Sequence, residues 1–441
     1  MFKKFIFIGF GSIATSLIEL FNIERKYLKI PFTIIEPNDI RHPELLLNRE
    51  FIHVKHYMTH DNYKKLLVGL NKNTLVIDLS VNVDSLMVIK HCLDCGASYI
   101  NTSIENYYFN DKIKTVNYDS IKADTIYHRE LELEKLYKKY NKTNHPIVVN
   151  CGQNPGLISS YVKHAMDWYA KKHKIPFPDG DYAKLAHELG LSEILLCEYD
   201  SQTTNLKPKH QYFLNTWSCV GLQEEASDFT TLSLNNTDIE SMTRIGIKLI
   251  KPNEGEVSNI RFLKDYGMNL KRSGICLDVD GKPFKYDGGM LIPHAEITSL
   301  SRFLQFDGNS PTIMYIYRVC DAAAKSLEYY KENNYKLLDT YYVLEQEDVN
   351  LEGFDSIGVW LKFKNGNSVW CGSVCSNEHA KKLGFKISTC TSIQVSGSVA
   401  SFIEYIHNHR SIGLNECETL NHKEILEKAT KYLGNFFCVE I

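Results

Sequence analysis

KFIFIGFGSIATSLIELF, residues 4–21, carries three signals in immediate succession. A short apolar run comes first, then a turn with two glycines, then apolar residues at helical spacing. An apolar run this short fits a strand covered on both faces, and the apolar residues after the turn fit an amphipathic helix. The turn reads Gly9-Phe10-Gly11-Ser12-Ile13-Ala14, which has the spacing GxGxxG/A. In that pattern the first glycine permits the tight turn and the second lets a pyrophosphate approach the backbone. The final small residue lets helix and strand pack closely. Free N–H groups and the helix dipole then favour an anion at the helix start.

Such a motif is weak evidence alone, so its surroundings matter. PFTIIEP (31–37), FIHVKHY (51–57), TLVIDLSV (74–81) and SYINTSIE (98–105) read as further strands, with helical segments such as DSLMVIKHCLDCG between them. HPIVVNCG (145–152) reads as a sixth. Strands alternating with helices imply a parallel sheet with both faces covered. The expectation is an α/β fold with a doubly wound Rossmann domain over residues 1–152. Glu36 closes the second strand, 25 residues after Gly11. A carboxylate there accepts from both ribose hydroxyls and repels a 2′-phosphate, which favours NAD. Arg41 keeps NADP open as a minor alternative. The expected cofactor set is Gly9, Phe10, Gly11, Ser12, Ile13, Ala14, Glu36, Ser80 and Pro155. Asn82, just past the fourth strand, is expected beside the nicotinamide with the catalytic groups.

The totals exclude several classes. Fifty basic against 53 acidic side chains leave a net charge of −3, with no footprint for nucleic acid or an anionic membrane surface. No run reaches the length of a membrane span, and Gly9 and Gly11 interrupt a stretch that would otherwise resemble a signal peptide. Twelve scattered cysteines fit reduced thiols in the cytoplasm. Cys92 and Cys95 form a CxxC late in an apparent helix, and Cys371/Cys375 lies in a hairpin, so no metal site is expected.

Residues 153–390 read as an α+β domain for substrate and dimer contacts, and 391–441 as a segment packing back on the first domain. A charged helix over about 119–141 leads into the sixth strand. After it, Asn154-Pro155-Gly156 opens a helix, so Asn154 is either a site residue at the sheet's C-terminal end or a helix cap. EILLCEYDSQ reads as a strand carrying Glu198 among apolar neighbours. IGVWLKFKNGNSVWCGSV reads as a hairpin turning at Asn365-Gly366, part of an antiparallel sheet. LNTWSCVGLQEE, residues 214–225, sets Trp217 close to Glu224 and Glu225. An indole beside carboxylates suits a desolvated ammonium. The other reading is a packed tryptophan with solvated glutamates.

Several of these segments together resemble the bacterial-type homospermidine synthases, relatives of the saccharopine and carboxynorspermidine dehydrogenases. VIDLSVNVDSL with GASYINTSIENY, NCGQNPGLISSYVKHA, LCEYDSQ, NTWSCVGLQEE and GGMLIPHAEITSLSRFL occur in that family's order. The Asn-Thr-Trp-Ser segment is the most specific. The chain departs where the family usually has Glu-Pro-Trp (here Glu105-Asn106-Tyr107), Glu-Arg-Asp-Thr-Gln (here Glu198 to Gln202) and Thr-His-Asn-Glu (here Pro293 to Glu296). These departures bear on the surroundings of the site more than on its chemistry.

The resemblance implies that a hydride leaves putrescine for bound NAD and returns after a second amine has displaced ammonia. The net product is homospermidine. It implies Trp217 as a cation–π platform and Glu225 as amine anchor or proton acceptor. Asn154, Glu198 and Glu105 would hold amino groups, and His294 and Glu296 would complete the pocket. It further implies a homodimer. Two rivals stand beside this reading. A sister dehydrogenase would need an arginine for a substrate carboxylate, with Arg302 and Arg318 as candidates. A non-catalytic NAD-binding protein would give no reason for Trp217, Glu225, Glu198 and His294 to converge. Glu224 is read as a surface residue.

Overall fold

A computed structural model describes the chain except residues 1, 106–124, 141, 178–179, 211, 253–254, 256, 258 and 337–339. In chain order the first strands are β1 (Lys4–Ile8), β2 (Phe32–Ile35), β3 (Phe51–Val54), β4 (Thr74–Asp78), β5 (Ser98–Asn101) and β6 (Ile147–Val149). They form a parallel sheet in the order β3-β2-β1-β4-β5-β6, the doubly wound arrangement. Alternate side chains of β1 show why its run is continuously apolar. Phe5 and Phe7 enter one core, Ile6 and Ile8 the other.

The later strands are β7 (Leu191–Asp200), β8 (Tyr212–Asn215), β9 (Phe229–Ser233), β10 (Ile260–Tyr266), β11 (Lys271–Leu277), β12 (Pro283–Ile292), β13 (Thr312–Arg318), β14 (Thr340–Val343), β15 (Phe354–Phe363), β16 (Ser368–Ser376), β17 (Leu414–Glu416) and β18 (Asn435–Glu440). A second sheet runs β10-β9-β13-β7-β15-β16-β18, with the β11–β12 hairpin attached to β13. It is mixed, not antiparallel throughout as the sequence suggested, because β13 lies parallel to β7. More than a hundred residues separate those two strands, and such a long connection permits a parallel crossover. β8 and β14 form a small parallel pair apart from both sheets.

The helix expected over about 119–141 is observed at Ile126–Lys139; residues 119–124 and 141 lie outside the described residues. The segment after residue 390 serves both halves. Its helix Cys390–Asn408 packs on the first helix, Ser12–Ile23, where Ser16 Oγ and Ser396 Oγ lie 2.8 Å apart. β17 then extends the first sheet beside β6, and β18 closes the second beside β16.

One buried charge ties the two halves together. Glu19, 4 % exposed on the Ser12–Ile23 helix, accepts from the backbone N–H groups of Lys386, Ile387 and Ser388 and from the Ser388 hydroxyl. Glu19→Ala would leave four donors without that acceptor. It is expected to lower stability by about 3 kcal/mol in urea unfolding.

Candidate active site

The glycine turn forms the floor of a cleft of about 1040 Å³. Gly9 has φ +79°, and a Cβ there would stand 2.7 Å from the Ser80 Cα, so β1 and the end of β4 meet at a distance only glycine allows. A Cβ on Gly11 would meet nothing, and no side chain caps the helix that begins after it. That combination leaves free N–H groups over open space, the arrangement a pyrophosphate needs. Gly9, Phe10, Gly11, Ser12, Ile13, Glu36 and Ser80 all line this cleft, while Ala14 packs in the core behind it. Glu36 also steadies the turn: one oxygen accepts from Phe10 N at 3.0 Å, the other from Asn38 N at 2.9 Å.

A smaller pocket of about 140 Å³ opens beside the cleft. Ile13, Leu79, Ser80, Val81 and Ser218 line both, so the two spaces meet where the turn faces the end of β4. Glu105, Asn154, Trp217, Glu225 and His294 line the pocket, drawn from separate stretches of the sequence. Two placements differ from expectation. Asn82 lies on the exposed rim of the large cleft, in a left-handed turn with φ 65°, and not in the pocket. Pro155 lines the pocket and not the cofactor cleft.

Trp217 precedes the helix Cys219–Ser227, whose cap is Ser218. Its indole N–H donates to the Tyr317 hydroxyl at 2.9 Å. Gly221, one turn on, makes room for the ring: a Cβ there would be 2.8 Å from Trp217 Cζ3. Glu225 comes later on the same helix, where burial pushes its carboxyl up to about 8 against the pull of His294. Glu224 is no surface residue. Its side chain is 17 % exposed, lines the pocket, and has a carboxylate oxygen 3.8 Å from Arg129 Nη2.

Like Arg129, His294 is a buried cation of the site. Burial pulls its pKa down, but Glu296, Glu225 and Glu198 outweigh that and raise it to about 9. Its Nδ1 makes a short bond with Glu296, its Nε2 lies 3.8 Å from Glu225, and its ring stacks on Tyr315 at 4.4 Å. Glu296 also accepts from Gly156 N at 3.0 Å, which fixes the start of the helix Leu157–Lys172. Gly156, not Asn154, is the cap of that helix. Asn154 instead donates to Glu198 Oε2 at 2.7 Å and to the Tyr315 oxygen. Glu198 stands behind the pocket wall, held by the Tyr315 hydroxyl at 2.5 Å, and burial raises it to about 7. Glu105 accepts from Ser103 Oγ at 2.5 Å and has its other oxygen 3.7 Å from Arg129 Nη1.

Arg129 and the buried acids Asp200, Asp355 and Glu130 were not anticipated. Arg129 sits in IYHRELELEK, a stretch so charged that it reads as solvated. Yet Tyr127, Glu130, Leu131 and Glu134 share its buried face, a helical stripe that mixes acids with apolar residues. Asp200 is paired in register with Asp355, and burial pushes it up to about 6. Its carboxylate accepts from Thr216, next to Trp217. The arginines singled out from sequence have other duties. Arg302 pairs with Glu416, and Arg318 pairs with Asp321.

Comparison with known proteins bears on this geometry. The family described as saccharopine dehydrogenase NADP binding domain matches residues 5–144. A homospermidine synthase of Mesorhizobium japonicum is 27 % identical over 97 % of this chain and 88 % of its own length. One from Blastochloris viridis is 26 % identical over 97 % and 89 %. The crystal structure of the Legionella pneumophila homospermidine synthase in complex with NAD superposes with a TM-score of 0.83, at 26 % identity, over all of this chain and 91 % of that one. The likeness is to homospermidine synthases from end to end. Yeast saccharopine dehydrogenase (L-Glu forming) shares the fold, with a TM-score of 0.52 at 12 % identity.

The electrostatics of His294 can be checked directly. In Glu296→Gln the largest support for its charge disappears while burial remains. Its pKa is therefore expected to fall from about 9 to its ordinary value near 6.5 or below, read by NMR titration of the imidazole.

Proposed function

We propose that the chain is an NAD-dependent homospermidine synthase that joins two putrescine molecules with loss of ammonia. The observation that carries this reading is the pocket itself. A pinned indole and several carboxylates surround a small space that opens directly onto the dinucleotide cleft. The full-length likeness to homospermidine synthases supports it. A cofactor site with free helix N–H groups and Glu36 suits NAD. When bound, NAD supplies a hydride acceptor that later returns what it took.

The protein's own groups would do the rest. A diammonium substrate must lose one proton before its carbon can be oxidised, and departing ammonia must regain one. Glu225, raised to about 8, is suited to take and return that proton near neutral pH. Asn154 would orient an amino group, with Glu198 and Tyr315 holding it from behind the pocket wall. Glu296 compensates the charge of His294 and so leaves Glu225 for the substrate. The Trp217 face would cover a cationic imine without offering water or a proton acceptor. A homodimer in the cytoplasm, where twelve free thiols would stay reduced, belongs to the same proposal.

Arg129 favours a second reading. It is a pocket arginine of the kind a carboxylated Schiff base would need, although Glu105 and Glu224 flank it. That reading is a reductase of the saccharopine or carboxynorspermidine type. Incubation with putrescine and NAD, without added reductant, separates the two by mass spectrometry. Homospermidine and ammonia with little accumulated NADH are expected. Turnover that requires a carboxylated aldehyde and added reductant would establish the second reading instead.

Trp217→Ala is expected to lower turnover about 10- to 100-fold, the effect of losing roughly 2 kcal/mol of cation–π stabilisation, with NAD still bound on equilibrium dialysis. The rate should also climb with pH up to about 8 as Glu225 loses its proton. A profile flat between roughly pH 6 and 9 would remove Glu225 as the base.

A further inference from the structure

The mouth of the large cleft is shaped by both halves of the chain. Arg41, five residues beyond Glu36, stands where an arginine could meet a 2′-phosphate. It is already engaged. Its Nη1 lies 3.2 Å from Glu345 Oε1, and its guanidinium carbon sits 4.7 Å over the Tyr342 ring. His42 Nε2 meets the same Glu345 oxygen at 2.8 Å. Arg41, His42 and Glu345 all line the cleft, as does Glu36. The turn that presents Glu345 is fixed from within: Asp348 accepts from Glu345 N at 2.9 Å and from the Tyr342 hydroxyl at 2.8 Å. Leu344 N donates to Asn215 O at 2.8 Å, which joins this turn to β8 and so to the Trp217 segment.

We infer that Glu345 is the residue that sets the preference for NAD over NADP, a role that rests on the dinucleotide reading above. Recognition of a 2′-phosphate needs a guanidinium fork free to face it. Glu345 holds one nitrogen of that fork, Tyr342 covers its plane, and the Glu345 carboxylate adds negative charge to a cleft already lined by Glu36 and Asp39. The arginine typical of an NADP site is thus present at the cleft but already paired with an acid. Glu36 alone is not the whole discriminator.

The test is binding of NAD and of NADP to the purified full chain by isothermal titration. Glu345→Gln keeps the shape and removes the charge. It is expected to shift the NADP-to-NAD affinity ratio about tenfold toward NADP, and Arg41→Gln added to it should abolish that gain. A ratio unchanged in Glu345→Gln overturns the inference. So does a gain that survives in the double variant, because lost repulsion alone would then explain it. Wild-type protein that binds both dinucleotides equally also overturns it. Wild-type protein that binds neither would instead sink the cofactor assignment, a distinct failure. Should either variant unfold, Tyr342→Phe tests the same point, since it loses the Asp348 bond that holds the turn and should move the ratio in the same direction; no movement there counts against Glu345.

Discussion

The contact between His294 and Glu296 is the one on which the pocket depends. Two residues apart, they bring a cation and its counter-charge into space that water barely reaches. A lone imidazolium or a lone carboxylate there would be costly. Together they are tolerated, and each then reaches outward. Glu296 fixes Gly156 N and with it the helix behind Asn154. His294 stacks on Tyr315, whose hydroxyl holds Glu198. Loss of Glu296 would remove the largest support for the His294 charge and release Gly156 N, and loss of His294 would remove the stack on Tyr315.

Around that pair the protein accumulates acid. Glu198, Glu225, Asp200 and Asp355 are all pushed above their ordinary range, chiefly by burial. Each such group costs stability in the empty protein, and they raise one another further by repulsion. In the proposed function, a diammonium substrate would relieve part of that repulsion at Glu225. In that reading the face of Trp217 would add attraction that does not depend on which carboxylate is ionised.

Much of this was legible in the sequence for a physical reason. The first sheet announces itself because its strands are buried on both faces and must be continuously apolar. Gly9 is required by a 2.7 Å approach that no other residue survives. Trp217 stood out as an indole close to carboxylates and Glu198 as an acid in an apolar strand, while Glu225 and His294 took their roles from the resemblance to homospermidine synthases. The rest stayed hidden because local patterns were ambiguous. Arg129 and Glu130 lie on a helix so rich in charge that buried and solvated faces look alike. Glu224 adjoins Glu225, and adjacent helical positions point in different directions, so nothing local says that both face inward. The parallel pairing of β7 with β13 joins residues too distant for any local pattern to report.

The last strands bear on how the molecule is made. β17 completes the first sheet from residues 414–416, and β18 closes the second from residues 435–440. A growing chain therefore leaves the ribosome with an unpaired edge on each sheet until those strands emerge. The helix Cys390–Asn408, which covers Ser12–Ile23, arrives almost as late. Neither half is complete until the segment after residue 390 is in place, and the pocket between them depends on strands and a helix from that one late stretch.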